Sequence, residues 1–339
     1  MTRSLEQHLR DRGVLNGDDR IAEATELAGG VSAAVYRIRT TDGRELVLKQ
    51  ALDRLKVAKE WRADPARAQN EARAIHLFNS ITPREVPALV DIDPATNILV
   101  MDAAPPSWLA WNRVLLDDEA GKDFDNVAVA VTLGRILGDW HRTTALDAAA
   151  LDIFAAGAEF RELRIVPFHA AIRAQHPNCA PVIDRCVAEL ADQHTVVIHG
   201  DFSPKNVLVN PEGSGLWVLD FEVAHAGPPV FDLAFFTSHL LMKAVHRPME
   251  TSRFLELRSR FLAEYHRELP SAVAGAFSSL GAHTACLLLA RVDGMSPTGY
   301  LTELDRTTIR AWAVDVLSSS DPEQTFTDSL AMLGGSGSE

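Results

Sequence analysis

The stretch Val197-Ile198-His199-Gly200-Asp201-Phe202-Ser203-Pro204-Lys205-Asn206-Val207-Leu208-Val209, with Leu219-Asp220-Phe221-Glu222 beyond it, decides how this chain is read. Two short apolar runs bracket a polar turn, and a third run ends on a carboxylate. Runs of this length and composition read as short strands. Asp201 then opens a loop, Asn206 stands five residues later at the edge of the next strand, and Asp220 follows Asn206 by fourteen. Phosphoryl transfer needs such a set. One carboxylate orients an attacking hydroxyl and accepts its proton, while an amide oxygen and a second carboxylate hold magnesium on the phosphates. Magnesium takes hard oxygen ligands and keeps much of its water shell, so few protein ligands suffice. Singly, Asp201 and Asn206 are as well explained as turn caps; order and spacing together favour the chemistry.

Upstream of this stretch the chain is strand-rich. Residues 1–20 read as a short amphipathic helix closed by Gly17-Asp18-Asp19. Strands are expected at 24–28, 34–40 and 45–49, with a Gly29-Gly30 break and an Asp42-Gly43 hairpin turn. A helix follows Pro65 and carries Arg67, Glu71, Ile75 and Phe78 at helical spacing. Two more strands are expected at 88–92 and 97–101, and Pro105-Pro106 marks a lobe boundary. Beyond it helices dominate, at 127–144, 181–191 and from Asp232 to about Leu317, apart from the short strands around Asp201 and Asp220. The fold class is therefore α+β, without the strand–helix alternation of a parallel sheet. The expected organisation is an N-terminal lobe over 1–104, a helical lobe over 105–333 and a flexible tail over 334–339.

His199-Gly200-Asp201 through Asn206, and Asp220-Phe221-Glu222, follow the His-x-Asp-x-x-x-x-Asn and Asp-Phe-x patterns of kinases. Gly200 stands where protein kinases carry arginine, and Glu222 where they carry glycine. In these respects the segment resembles the aminoglycoside phosphotransferase and choline kinase superfamily. The resemblance implies a two-lobed protein-kinase-like fold with a small antiparallel-sheet N-lobe and a larger, mainly helical C-lobe. It also implies ATP and Mg2+ as cofactors and a small-molecule hydroxyl as acceptor. Asp201 is then the base, Asn206 and Asp220 hold the metal, and Glu222 aids a second metal or a water ligand. Lys205 is read either as neutralising the transferred phosphoryl or as a solvated loop lysine. Asp232, in Val230-Phe231-Asp232-Leu233-Ala234, resembles the superfamily's structural aspartate.

The N-lobe should supply a phosphate cradle and a lysine. Gly29, Gly30 and Ser32 lie between two strands, where glycine lets backbone N–H groups approach phosphate oxygens. Lys49 ends an apolar strand and is the expected partner of the α- and β-phosphates. Glu71 is its expected ion-pair partner, with a local pair to Arg67 as the alternative. Lys49-Gln50-Ala51-Leu52, Glu60, Trp61, Arg67 and Glu71 are similar to the equivalent stretch of 5-methylthioribose kinases, which lack the asparagine found here at 206. The hinge is expected at 101–104, with Met101, the Asp102 carbonyl and the Ala104 N–H near adenine. Asp201, His239, Arg291 and Asp293 are candidates for the acceptor site, and pairing across a helix junction is the alternative for the last two.

The chain of 339 residues is 47% hydrophobic, carries a formal charge of −13, and has no basic stripe of the kind nucleic-acid binders show. No apolar run of 18 residues and no apolar N-terminal core appear, so no membrane partner and a cytoplasmic location are expected. Cys179, Cys186 and Cys286 fit no metal spacing and are expected to be free thiols. A protein kinase is disfavoured because only twelve residues separate Asp220 from Asp232, leaving no long activation segment. A hydrolase would leave Lys49 and the glycines without a role, and a non-catalytic nucleotide-binding module would not need all four of Lys49, Asp201, Asn206 and Asp220. The favoured acceptor is a sugar-containing antibiotic of aminoglycoside or nucleoside type. The alternative is a metabolic methylthioribose-like sugar, amino sugar or amino alcohol.

Overall fold

The computed structural model describes residues 2–27, 32–55, 63–121, 124–213, 215–268, 275 and 277–335. In chain order they form α1 (Thr2–Asp11), β1 (Ile21–Glu26), β2 (Ala33–Thr40), β3 (Glu45–Ala51), α2 (Arg67–Ile81), β4 (Leu89–Asp93), β5 (Ile98–Asp102) and the short β6 (Leu109–Ala110). Next come α3 (Trp111–Leu116), α4 (Asn126–Thr144), α5 (Ala148–Ile153), α6 (Ala158–Phe160), a π-helical stretch Arg161–Ala170, α7 (Ala171–Gln175) and α8 (Ala180–Asp192). β7 (Val196–Ile198), β8 (Val207–Val209), β9 (Leu216–Val218) and β10 (His225–Gly227) lead into α9 (Val230–His246), α10 (Thr251–Glu268), α11 (Leu280–Asp293), α12 (Glu303–Ser318) and α13 (Pro322–Gly335). By its contacts the chain forms two compact units, 1–109 with 208–223, and 110–207 with 224–339.

The first unit is built on an antiparallel five-stranded sheet of order β1-β2-β3-β5-β4. Gly43 turns the β2–β3 hairpin with φ +88°, a conformation glycine adopts without steric cost. Strand alternation divides β3 between two faces. Leu46 and Leu48 join Leu9, Val14, Leu15, Ile38 and Val100 in one buried cluster that includes α1 and the residues following it. Lys49, opposite Val35 and Leu99, meets α2. Residues 208–223, grouped with the helical lobe in the sequence reading, pack instead with this unit. Phe221 meets Phe78 of α2 at 5.5 Å between ring centroids, Trp217 meets Trp108 at 5.7 Å, and the Val218 N–H donates to the Glu85 carbonyl at 2.8 Å.

The second unit is a helical assembly in which α4, α9, α10 and α11 enclose the core. The Asp125 carboxylate caps α4 by accepting the Ala128 N–H at 2.9 Å. Gly134 lets α4 approach α10 closely, since a Cβ there would stand 2.4 Å from the Phe261 carbonyl oxygen. The apolar helix α11 runs through Arg291 to Asp293 and stops at Gly294. Arg291 is accommodated because its guanidinium lies over the Phe168 and Phe235 rings at 5.5 and 6.0 Å and donates to the Ser296 carbonyl at 3.0 Å. The expected tail begins inside α13, which takes in Gly334 and Gly335; residues 336–339 lie outside the described residues. Among the described residues no helix is long and apolar enough to cross a membrane. The three cysteines are free and buried.

Candidate active site

In the first unit, Lys49 Nζ lies 2.8 Å from a Glu71 oxygen and 2.6 Å from an Asp220 oxygen. The lysine comes from the central strand, Glu71 from the second turn of α2, and Asp220 from just beyond β9. Burial by itself would lower the Lys49 pKa, but Asp220, Glu71 and Glu222 raise it above its ordinary value. Burial, reinforced by Asp220 and Glu222, pushes Glu71 up against the opposing pull of Lys49. Asp220 holds φ +71°, left-handed backbone that is uncommon outside glycine and clusters at functional sites.

Glu222 pairs with Arg67 at 3.1 Å, so Arg67 does not take Glu71 as a local helix partner. Arg67 is fully buried and also donates to the Leu52 carbonyl at 2.7 Å, the Asp64 carbonyl at 2.9 Å and the Ser32 carbonyl. One guanidinium thereby ties the flank of the glycine segment to α2 and to the Asp220 loop. Carboxylate oxygens of Glu71, Asp220 and Glu222 lie within 4.8 Å of one another. Three carboxylates face Lys49 and Arg67, which leaves one negative charge in excess. An oxygen-only, net-negative set fits a hard divalent cation. Gly29 and Gly30, like Glu60 and Trp61, lie outside the described residues. Met101 and Ala104 are buried, Asp102 is exposed, and the Ala104 carbonyl accepts from the Arg37 guanidinium at 2.7 Å.

In the second unit, Asp201 follows β7 and is buried. Its Oδ2 accepts the Asn206 amide N–H at 2.8 Å and pairs with Lys205 at 2.8 Å and Arg164 at 3.3 Å. Asn206 also donates to the Asp201 carbonyl at 3.0 Å, which commits its amide nitrogen and leaves Oδ1 as the oxygen a cation would meet. The backbone before Asp201 is pinned by Asp232, whose carboxylate accepts the His199 N–H at 2.7 Å and the Gly200 N–H at 2.8 Å. Gly200 takes φ +76° here. His141 stands 3.3 Å from Asp232 and 2.8 Å from the Tyr265 hydroxyl, so it is a partnered core histidine.

Arg164 was not visible in the sequence reading. It sits in the π-helical stretch, donates to the Gly200 carbonyl at 2.7 Å, and has no motif around it to mark it. Of the acceptor candidates, Asp293 is occupied by Arg310 at 2.8 Å and His176 at 2.8 Å, which is the junction pairing given as its alternative. Arg291 does not pair with Asp293, yet its charge feels Asp201. His239 is buried with neither ring nitrogen hydrogen-bonded among the described residues. Lys243, one turn beyond His239, was also missed; its signal is a lysine four residues from a histidine, with apolar Leu240, Leu241 and Met242 between them.

The profile of the phosphotransferase enzyme family matches residues 23–269. The chain is similar in fold to a solved amicoumacin kinase in complex with AMP-PNP, Ca2+ and Ami, at 14% identity and a TM-score of 0.57, covering 95% of this chain and 97% of that one. A candidate fructosamine-3-kinase from Thermobifida fusca YX-ER1 is similar at 19% identity and a TM-score of 0.52, covering 97% of this chain and 100% of that one. Acyl-CoA dehydrogenase family member 10 of Mus musculus is 27% identical over 114 residues, 32% of this chain. The chain spans 11% of the length of that curated relative.

Proposed function

The chain belongs to the phosphotransferase enzyme family, and from that premise we propose that it transfers the γ-phosphoryl group of ATP to a hydroxyl of a small molecule. The carrying observation is that Lys49, Glu71 and Asp220, far apart in sequence, meet at 2.6–2.8 Å in one cluster. Lys49 binds the α- and β-phosphates, with Glu71 holding its ammonium in place. Glycines 29 and 30, Ser32 and the 101–104 segment are the further proposed nucleotide contacts. Asp220, Glu222 and Asn206 would hold Mg2+, which when bound neutralises phosphate charge.

Asp201 orients the acceptor hydroxyl and takes its proton as the oxygen bonds to the γ-phosphorus. The bond from that phosphorus to the β–γ bridging oxygen breaks, and ADP leaves. Lys205 offsets charge on the transferred group. The resemblance points to an antibiotic sugar as acceptor. A metabolic acceptor is the second reading, and one observation favours it: the charges around Asp201 are Arg164, Lys205 and Arg291, poor company for a polycationic aminoglycoside.

The test is ADP release from ATP and magnesium across aminoglycosides, nucleoside antibiotics, methylthioribose, choline and amino sugars, with Asp201→Ala as control. Acceptor-dependent turnover lost in the variant supports the reading. A protein that binds no ATP overturns it and leaves a binding module of another kind.

A further inference from the structure

The helical unit holds a second polar cluster that the transfer chemistry does not use. Phe235, His239 and Lys243 stand at i, i+4 and i+8 on α9 and so form one stripe. Lys243 is fully buried, and its one hydrogen bond among the described residues is a long one, 3.4 Å to the His239 carbonyl. Its ammonium lies 5.4 Å over the Tyr300 ring. The buried Tyr300 hydroxyl, Arg291 Nε and both His239 ring nitrogens have no hydrogen-bond partner among the described residues. Most buried polar groups are satisfied, and an uncompensated buried cation is costly, so a concentration of such groups calls for a ligand.

The ligand's charge follows from what surrounds them. Nearby carboxylates already have cationic partners: Asp293 has Arg310 and His176, Asp305 has His246 at 2.8 Å, and Asp201, whose charge Arg291 feels, has Lys205 at 2.8 Å and Arg164 at 3.3 Å. Lys243 and Arg291 have no carboxylate partner among the described residues. Burial, with the Arg291 charge, pushes Lys243 down to about 7, which an arriving anion would reverse. The cluster also adjoins Asp201. Arg164, 3.3 Å from Asp201, lies 5.5 Å over both the Phe168 and Phe235 rings, the same two rings that Arg291 covers.

We propose that the acceptor carries an oxyanion, a carboxylate or a phosphate, which Lys243 and Arg291 bind while its hydroxyl is presented to Asp201. The assignment rests on the phosphotransferase reading above and gives it a substrate class. His239 and the Tyr300 hydroxyl are the neutral partners that complete the recognition of such a group.

The test measures thermal unfolding with AMP-PNP and magnesium held saturating, so that the phosphate subsites are filled. The probes are D-glycerate, glycerol 3-phosphate, glycerol and choline. A saturable upward shift with glycerate identifies a carboxylate site, and one with glycerol 3-phosphate a phosphate site. Glycerol and choline should give none. Lys243→Met and Arg291→Met should each weaken the anion's apparent affinity ~30-fold or more, and Tyr300→Phe, which removes only a hydroxyl, should weaken it by less. The proposal is overturned by no shift with either anion, by a shift that survives both cation-removing variants, or by a shift with choline. AMP-PNP binding without an anion effect removes this proposal and leaves the kinase reading intact; anion binding without AMP-PNP binding does the reverse.

Discussion

The carboxylate of Asp232 accepts the Gly200 N–H at 2.8 Å, and its second oxygen accepts the His199 N–H at 2.7 Å, so the turn entering Asp201 is held by a side chain from a different element. Both partners are buried, and His141 completes the arrangement. Asp232→Ala would leave two buried backbone donors unsatisfied. A loss of ~2–4 kcal/mol in unfolding free energy is expected, measurable by urea denaturation. Turnover should fall with it, because the Asp201 backbone is no longer positioned.

Lys49→Met removes the cation shared by Glu71 and Asp220 and leaves the buried Glu71 carboxylate beside the half-buried Asp220 without it. Stability should fall by ~3 kcal/mol, and nucleotide binding should be lost. Adding Glu71→Gln should restore part of the stability but none of the binding. A double variant as unstable as the single one would show that Glu71 is not the group left uncompensated.

Asp201→Asn keeps the side chain's shape and removes its basicity. Turnover should drop ~10²–10⁴-fold, while the affinity for the nucleotide, followed by fluorescence titration, stays within a factor of two or so of the parent. A variant retaining near-parental turnover would exclude Asp201 as the base.

The pH dependence of stability should carry the signature of Lys243. Its folded pKa is pushed down to about 7 by burial, below the ordinary 10.5. The unfolded chain therefore binds more protons between these values, so stability rises as pH increases from about 7 towards 10.5. The contribution is on the order of 3 kcal/mol. Denaturation at pH 7 and pH 10 should show the rise in the parent protein and a smaller one in Lys243→Met. Equal slopes in both proteins would assign the effect elsewhere.

Gly134→Ala tests the α4–α10 packing. The added methyl would meet the Phe261 carbonyl oxygen at 2.4 Å, a backbone atom that cannot swing aside. The expected cost is ~1–3 kcal/mol, and the melting temperature reports it. Affinity for the nucleotide measured without metal should not change, because Lys49 and the other nucleotide contacts proposed lie in the other compact unit.

Much of the fold was legible because its elements are local. Period-two alternation in 34–40 and 45–49 and the Asp42-Gly43 turn specify a hairpin with little help from the rest of the chain, and it forms as β2 and β3. The helical spacing in 127–144 likewise becomes α4. The assignment of 208–223 was not legible, because it depends on aromatic contacts such as Phe221 with Phe78 across more than a hundred residues. Nor was the setting of Arg291, since the two rings that receive its guanidinium come from separate stretches of the chain.

The sequence by itself pointed to phosphoryl transfer, because Asp201, Asn206, Asp220 and Lys49 stand out as candidates by residue type and spacing, and spacing along a strand–turn–strand is local geometry. Only the tertiary structure decided which groups neutralise them. Arg67 turns to Glu222 instead of Glu71, Arg164 reaches Gly200 and Asp201 from a stretch without a motif, and the buried Lys243 and half-buried Arg291 form no ion pair with a carboxylate among the described residues. Burial and charge compensation depend on which chain segments exclude water together, and no run of neighbouring residues encodes that.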